Sequence, residues 1–415
     1  MPDEAEEKPF VDLQDPQTNE CPYPAYQQLR DNAPVYFDER TQMYVLTRFE
    51  DVRRALTDTK TFSNARRAAV PRWHLMEKVY TEKGWVPGTS LGALDNPAHK
   101  QQRALFNDAF RPARINTFEP YVVELANQLI DAFADAGQCE FVSEFAVPLP
   151  LAMIGRQMGV PDEDMMKIKR WTDSWIQRRG MMMTDEEIIE STELEVEAQH
   201  YFQPIFERLR KEGDGTVLSD LVRTEIPEWG RTLNDNELHA EMMADMFVGG
   251  AETATSALAN GVKALIERPD VWAAFDEDPD KAIPAFIEEL LRVESPVQGL
   301  FRRVTEDIEL HGVRIPAGSM VNVRYGAANR DERNFPDPES LDLERTNARQ
   351  HLAFGQGTHM CLGAPLARLE LRSGLGVLRE RLKEMWFIEG ANDFAHRPNF
   401  VVRGLRELHI GFTMR

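Results

Sequence analysis

Short runs rich in apolar and aromatic residues occupy 35–37 and 43–47, on either side of a polar turn. This pattern predicts two short strands near the start of the chain, followed by a helix from about Glu50. Residues 64–94 mix arginine, proline, glycine and bulky apolar side chains with no steady period, and so long an irregular connection points to a binding loop. Over residues 97–210 apolar positions recur every three or four, as in Tyr121, Leu125, Leu129, Ile130 and Phe133, which predicts several packed helices. A longer helix begins near Asn234, which caps it while Glu237 reaches back, and runs to about Glu267, before Pro269. At a rise of about 1.5 Å per residue it spans roughly 50 Å. Gly249 and Gly250 stand side by side in its middle. Each costs about 1 kcal/mol relative to alanine, so close approach of another body is expected there. Strand patterns return at 308–315 and 320–324, a proline-rich stretch leads to a glycine-rich cysteine loop, a last long helix is predicted over about 364–383, and FVVRGLRELHIGFTMR reads as strand again. No internal repeat or linker divides the chain, so the pattern predicts a single, mainly α domain over residues 1–415 with minor β sheets and an N-terminal extension to about residue 25.

Composition narrows the classes of function. With 42% hydrophobic and 28% charged residues, the chain has the material for a large core and no signature of disorder. Its 48 Lys and Arg against 69 Asp and Glu leave a net charge of -21, which repels phosphate backbones and argues against nucleic-acid binding. There is no apolar run of transmembrane length, and the start, MPDEAEEKPF, is acidic where a leader or anchor is basic and then apolar. A cytoplasmic protein without a membrane anchor is expected. Cys21, Cys139 and Cys361 are odd in number and far apart, which excludes a disulfide framework and a CxxC site.

In HLAFGQGTHMCLG the glycines allow tight turns, and Cys361 stands just before a helix whose first amides favour a thiolate. Three uses are open on chemistry alone: a nucleophile with His359 as base, a metal ligand, or a cysteine that merely packs in a turn. The full pattern carries more. Phe354, Gly355, Gly357, His359, Cys361 and Gly363 reproduce FGxGxHxCxG, and the loop resembles that of the cytochrome P-450 family, the haem-thiolate mono-oxygenases.

The resemblance covers roughly residues 30–415 and implies that family's fold. This is a triangular helical prism with a small N-terminal β region, a long helix at about 234–267 crossing the distal face of the haem, and a proximal loop and helix at about 345–383. It implies haem b with Cys361 as the axial ligand of iron, His359 on a propionate, Phe354 beside the sulfur, and Gly355 and Gly363 in the haem-binding loop. Glu289 and Arg292, one helical turn apart, resemble with Arg345 the family's structural Glu-Arg-Arg network. His99 and Arg103 in DNPAHKQQR, and Arg302 in RRVTEDIEL, resemble the cations that meet the propionates. The spacing to Asp307 selects Arg302, with Arg303 as the alternate because Val304 stands where the family carries alanine. Gly249, Gly250 and Ala251 resemble the kinked centre over the haem, and Glu252 and Thr253 the acid and alcohol that deliver protons during dioxygen activation.

The implied reaction is hydroxylation, the insertion of one atom of dioxygen into a C–H bond of a small to medium lipophilic substrate, terpenoid, steroid-like or aromatic. No flavin or iron-sulfur region fits beside this fold in 415 residues, so electrons are expected from NAD(P)H through a ferredoxin reductase and a ferredoxin. An acidic ferredoxin needs a basic docking patch on the proximal face, for which Arg111, Arg114, Arg349, Arg368 and Arg372 are candidates. Pocket residues assigned by position are Trp85, Val86, Met242, Asp245, Met246, Val248, Val297, Leu300 and Phe400, with Asp245 a candidate partner for a substrate hydroxyl or amine. Met181, Met182 and Met183 are candidates for a mobile lid. Two rival readings are a haem-thiolate gas or redox sensor, which would not need Glu252, Thr253 or a docking face, and a cysteine hydrolase built on Cys361 and His359, which leaves the other motifs without a role.

Overall fold

The computed structural model describes residues 11–65 and 72–415. Helices dominate, and the long helix is their axis. Asn234 accepts from the Glu237 amide at 3.0 Å while Glu237 accepts from the Asn234 amide at 2.8 Å, so the predicted start is held by a reciprocal cap. The helix continues through Asp235–Ala240, a wide-turn π segment Glu241–Glu252, and Thr253–Glu267. Packed against it are Pro148–Met158, Met165–Arg179, Pro279–Val293 and the helix that follows the cysteine loop, Ala364–Arg381. A side chain added at Gly374 would lie 3.2 Å from Leu149 and 3.4 Å from Leu258, which shows how closely three of these helices meet.

The paired glycines divide their work. A Cβ on Gly250 would sit 3.2 Å from Ile154 of the neighbouring helix, whereas one on Gly249 would meet nothing nearer than the Ala244 carbonyl at 3.9 Å. Gly250 thus admits another helix, and Gly249 leaves its side of the helix open.

The first two strands, Val35–Asp38 and Met43–Leu46, form the edge of a five-stranded sheet completed by Met320–Val323, Leu300–Val304 and Phe62–Ser63. Tyr44 pairs in parallel with Val321, so the sheet joins the N-terminal region to residues far along the chain. A second sheet sets Gln138–Glu140, His409–Met414 and Leu382–Phe387 side by side.

Several local expectations are corrected. Residues 64–94 are not irregular throughout: Trp73–Lys83 is a helix, with Met76, Val79 and Tyr80 buried on one face, while 66–71 lie outside the described residues. The segment 308–315 is a hairpin, Ile308–Leu310 with Val313–Ile315, rather than one strand. The last helix ends at Arg381, where strand Leu382–Phe387 begins, and of the C-terminal strand pattern only His409–Met414 is a full strand. Residues 1–10 of the N-terminal extension lie outside the described residues, but its remainder is no loose tail: Val11 and Leu13 pack in one cluster with Tyr26, Tyr36, Phe301 and Phe400.

Candidate active site

Gly355 and Gly357 have φ of 64° and 72°, the left-handed region that side chains avoid, and a Cβ on Gly357 would meet the Leu56 carbonyl at 2.9 Å. These turns fold the loop back so that the Cys361 amide donates to the Phe354 carbonyl at 2.8 Å. Gly363 is different, with φ of -78°; a Cβ there would lie 3.9 Å from the Cys361 sulfur, so glycine keeps the space beside Sγ clear. Cys361 is exposed, but to the interior of a cavity of about 910 Å³, at the upper end of the range of ligand sites. Burial pushes its thiol pKa up, against the Gly363 and Ala364 amides and the Arg103 and Arg368 charges, which favour the thiolate. The helix terminus therefore does not by itself produce the depressed thiol pKa expected from the sequence.

Around the same cavity stand His99, Arg103, Arg302 and His359. His99 is 1% exposed, its Nδ1 has no hydrogen-bond partner among the described residues, and its ring lies 4.0 Å from that of His359. Burial lowers the His99 pKa to about 4, with Arg103 acting in the same sense, which leaves the imidazole neutral. Arg103 donates to the Thr358 and Met360 carbonyls, and Arg302, 3% exposed, donates to the Phe301 carbonyl. Arg302 faces inward and its neighbour Arg303 outward, as alternation along Leu300–Val304 requires. An orphaned imidazole nitrogen, two guanidinium groups without an ion pair among the described residues and a thiol facing open space suit a group that brings two carboxylates and a metal needing sulfur. Haem meets that description.

The loop is held from behind by two buried networks. Arg292, 0% exposed, binds both oxygens of Glu289 at 2.7 and 2.9 Å and donates to the carbonyls of Asn329, Pro338 and Ser340. Arg345 completes the triad at 3.0 Å from Glu289 and also holds the Pro336 and Asp337 carbonyls. Sequence reading missed the second network. Glu288 binds Arg368 at 2.7 and 2.9 Å and His351 at 3.2 Å. Burial alone would raise the Glu288 pKa, but these partners hold it at about 2. No local pattern links Glu288 to Arg368, 80 residues on.

On the opposite wall, Thr253 donates to the Gly249 carbonyl at 3.0 Å. Glu252 is buried against Lys169 at 3.1 Å and Thr172 at 3.4 Å; Lys169 also binds Asp173, which Arg397 meets at 3.0 Å. Burial raises the Glu252 pKa and Lys169 opposes it. The i,i+4 spacing of Lys169 and Asp173 was a visible signal of this chain of charges; Arg397, 224 residues away, gave none.

Of the pocket residues assigned by position, Asp245, Met246, Val248, Val297 and Leu300 line the cavity. Trp85, Val86, Met242 and Phe400 do not. Trp85 stacks on His239 at 5.3 Å, Val86 packs on the Trp73–Lys83 helix, Met242 is fully buried, and Phe400 lies beneath Arg324 at 3.9 Å. Ala251 likewise packs into the core rather than the cavity. Asp245 accepts the Gly92 amide at 3.0 Å. Met181, Met182 and Met183 line the cavity in a tethered turn: Gly180 accepts from the Phe400 amide, Asn399 donates to Ile176, Gln14 to Met181 and Arg72 to Met183. Among the docking candidates, Arg111 and Arg114 both meet Asp108, Arg372 meets Glu119, Arg368 belongs to the Glu288 network, and Arg349 is exposed. Among the described residues no helix is long and apolar enough to cross a membrane.

Comparison with known proteins gives a consistent result. The cytochrome P-450 family model matches residues 187–382. The chain is 33% identical over 371 residues to cytochrome P-450(MEG) of Priestia megaterium, covering 88% of this chain and 87% of that protein. It is 32% identical over 389 residues to a steroid C26-monooxygenase of Mycobacterium tuberculosis, covering 94% and 93%. Among solved structures it resembles CYP109E1 from Bacillus megaterium in complex with testosterone, with a TM-score of 0.83 and 30% identity over 95% of this chain and 98% of that one.

Proposed function

The chain belongs to the cytochrome P-450 family of mono-oxygenases, whose cofactor is haem-thiolate and whose co-substrate is dioxygen, and on that premise we propose that it hydroxylates a C–H bond of a lipophilic, steroid-sized substrate. The observation that carries this reading is that Cys361 and the Glu252–Thr253 pair face one cavity, which apolar residues also line.

When bound, haem supplies the redox-active iron at which dioxygen is activated. The remaining work belongs to the chain. Cys361 provides a sulfur ligand whose negative charge the Gly363 and Ala364 amides and the Arg103 and Arg368 cations stabilise. His99, Arg103, Arg302 and His359 are the groups to hold two carboxylates in a wall that excludes water, since buried charges need partners. Met246, Val248, Val297, Leu300 and the methionines at 181–183 dehydrate an apolar substrate and carry most of its binding. Glu252, with its pKa raised by burial and restrained by Lys169, is the acid placed to take up and release a proton beside the cavity. Its ion pair with Lys169, which binds Asp173 and through it Arg397, gives it a chain of polar groups, and the Thr253 hydroxyl, now on the Gly249 carbonyl, is the neighbouring group to pass a proton inward.

The size class is supported by the steroid mono-oxygenase relative and by the testosterone complex. Electrons are proposed to come from NAD(P)H through a ferredoxin reductase and a ferredoxin that docks beside the cysteine loop. The test is the absorbance spectrum of the purified protein, reduced and under carbon monoxide. A far-red-shifted Soret band is expected, and substrate should then shift the resting band as it enters. An unshifted band, or protein that takes up no haem, overturns the assignment of Cys361.

A further inference from the structure

The cavity wall carries a positive charge that makes no ion pair among the described residues. Arg40 pairs with Asp12, Arg72 with Asp185 and Arg178 with Glu195. Arg103 and Arg302 donate to backbone carbonyls. Arg179 also lines the cavity, yet among the described residues it makes no hydrogen bond and no ion pair; its guanidinium rests over the Trp175 ring, 5.2 Å from the centroid. Asp245 is near enough to be felt, but its carboxylate accepts the Gly92 amide. A guanidinium half-buried in the cavity wall, without an ion pair among the described residues, can meet an anion in the cavity, and its planar donors match a carboxylate in two-point contact.

Helix geometry fixes where this charge stands. Helix Met165–Arg179 touches Glu252 through Lys169 and Thr172, and Arg179 follows Thr172 by seven residues. On the central helix Asp245 precedes Glu252 by seven, so the two helices run antiparallel and Arg179 lies near the level of Asp245. Seven residues correspond to about 10 Å along a helix. Arg179 is therefore displaced by about that distance from the level of Glu252 and Thr253, toward the turn at 181–183.

We propose that Arg179 receives the carboxylate of an elongated lipophilic acid, and that the carbon presented for oxidation lies on the order of 10 Å from that acid group. This rests on the mono-oxygenase reading and narrows it to steroid acids and medium-to-long fatty acids. Trp175 lies against the hydrocarbon next to the acid, and the apolar wall beyond carries the remainder.

The experiment is calorimetric titration of the haem-loaded protein with dodecanoate, with 5β-cholanate and with the methyl ester of each. Wild type, Arg179→Gln and Arg179→Lys are compared. At least one acid should bind wild type about ten-fold or more tightly than its ester. Arg179→Gln should abolish that preference without weakening the ester, and Arg179→Lys should retain part of it. Equal affinity of acid and ester for wild type, a preference that survives Arg179→Gln, or no binding of either acid overturns the inference. The carbon monoxide spectrum of each protein separates the two levels of the argument. A shifted Soret band without acid preference overturns the inference alone, and its absence from wild type overturns the reading beneath it.

Discussion

Arg292 shows what a single side chain does for this molecule without touching the cavity. Its guanidinium is fully buried and joins Glu289 to three carbonyls of the chain that leads toward the cysteine loop. Arg292→Ala leaves that carboxylate with Arg345 and the Asp342 amide and orphans the carbonyls, a loss of about 3–5 kcal/mol for a broken buried pair. The variant should take up little or no haem, as read from the ratio of Soret to protein absorbance, although the residue does not line the cavity. Residues of this kind were legible in proportion to how local their partners are. Glu289 and Arg292 sit one turn apart, and the cysteine motif occupies ten consecutive positions. Arg179 and the Glu288–Arg368 pair were not legible, because their meaning depends on what stands opposite them in space. Trp85 and Phe400 show the converse error: a position near the site says nothing about the direction of the side chain.

The central helix invites a paired test of its two glycines. Alanine is favoured over glycine in a helix by about 1 kcal/mol. Gly249→Ala meets no obstacle, so its melting temperature should hold or rise while turnover falls several-fold, because the new methyl group projects into open space over the cysteine. Gly250→Ala presses on Ile154, and overpacking of about 1–3 kcal/mol should outweigh the gain in helix propensity. Thermal melting together with product formation separates the two. The helix after the cysteine offers a pH test. Glu370 is 1% exposed and neither carboxylate oxygen has a hydrogen-bond partner among the described residues, so burial raises its pKa well above the ordinary value. The unfolded carboxyl ionises near 4.5, the folded one only at much higher pH. Its contribution is therefore complete below the unfolded value and is lost as pH climbs from there toward the folded one. Glu370→Gln should match wild type in acid and exceed it in melting temperature at neutral pH; parallel curves across that window would mean that Glu370 is solvated or paired. Elements with self-contained signals were legible, as the reciprocal cap of Asn234 and Glu237 shows. Helix Trp73–Lys83 was not: its N-cap, Arg72, is left-handed at φ 55° and makes no side-chain cap bond.

At the scale of the whole molecule, a net charge of -21 sets the terms for the proposed ferredoxin, an acidic partner. Ion pairs already engage Arg111, Arg114, Arg368 and Arg372, which leaves Arg349 as the exposed candidate without an ion pair among the described residues. Arg349→Glu should raise the KM for ferredoxin several-fold with kcat little changed, and the difference should shrink as salt is added. Arg368→Glu should instead disturb haem uptake by breaking the Glu288 network. The overall architecture was legible because it is carried by long periodic helices. The five-stranded sheet was not, since its strands are far apart in the chain and no local pattern says which of them pair. The methionine turn has a kinetic consequence. Four hydrogen bonds tie it to the C-terminal loop, the N-terminal segment and Arg72, so widening the cavity there requires them to break together rather than a loop to drift. Opening is then a discrete event with its own rate, and crowding the solution with ligand cannot hasten it. In rapid mixing, the observed rate of binding should climb with concentration and then level off at the tempo of the gate.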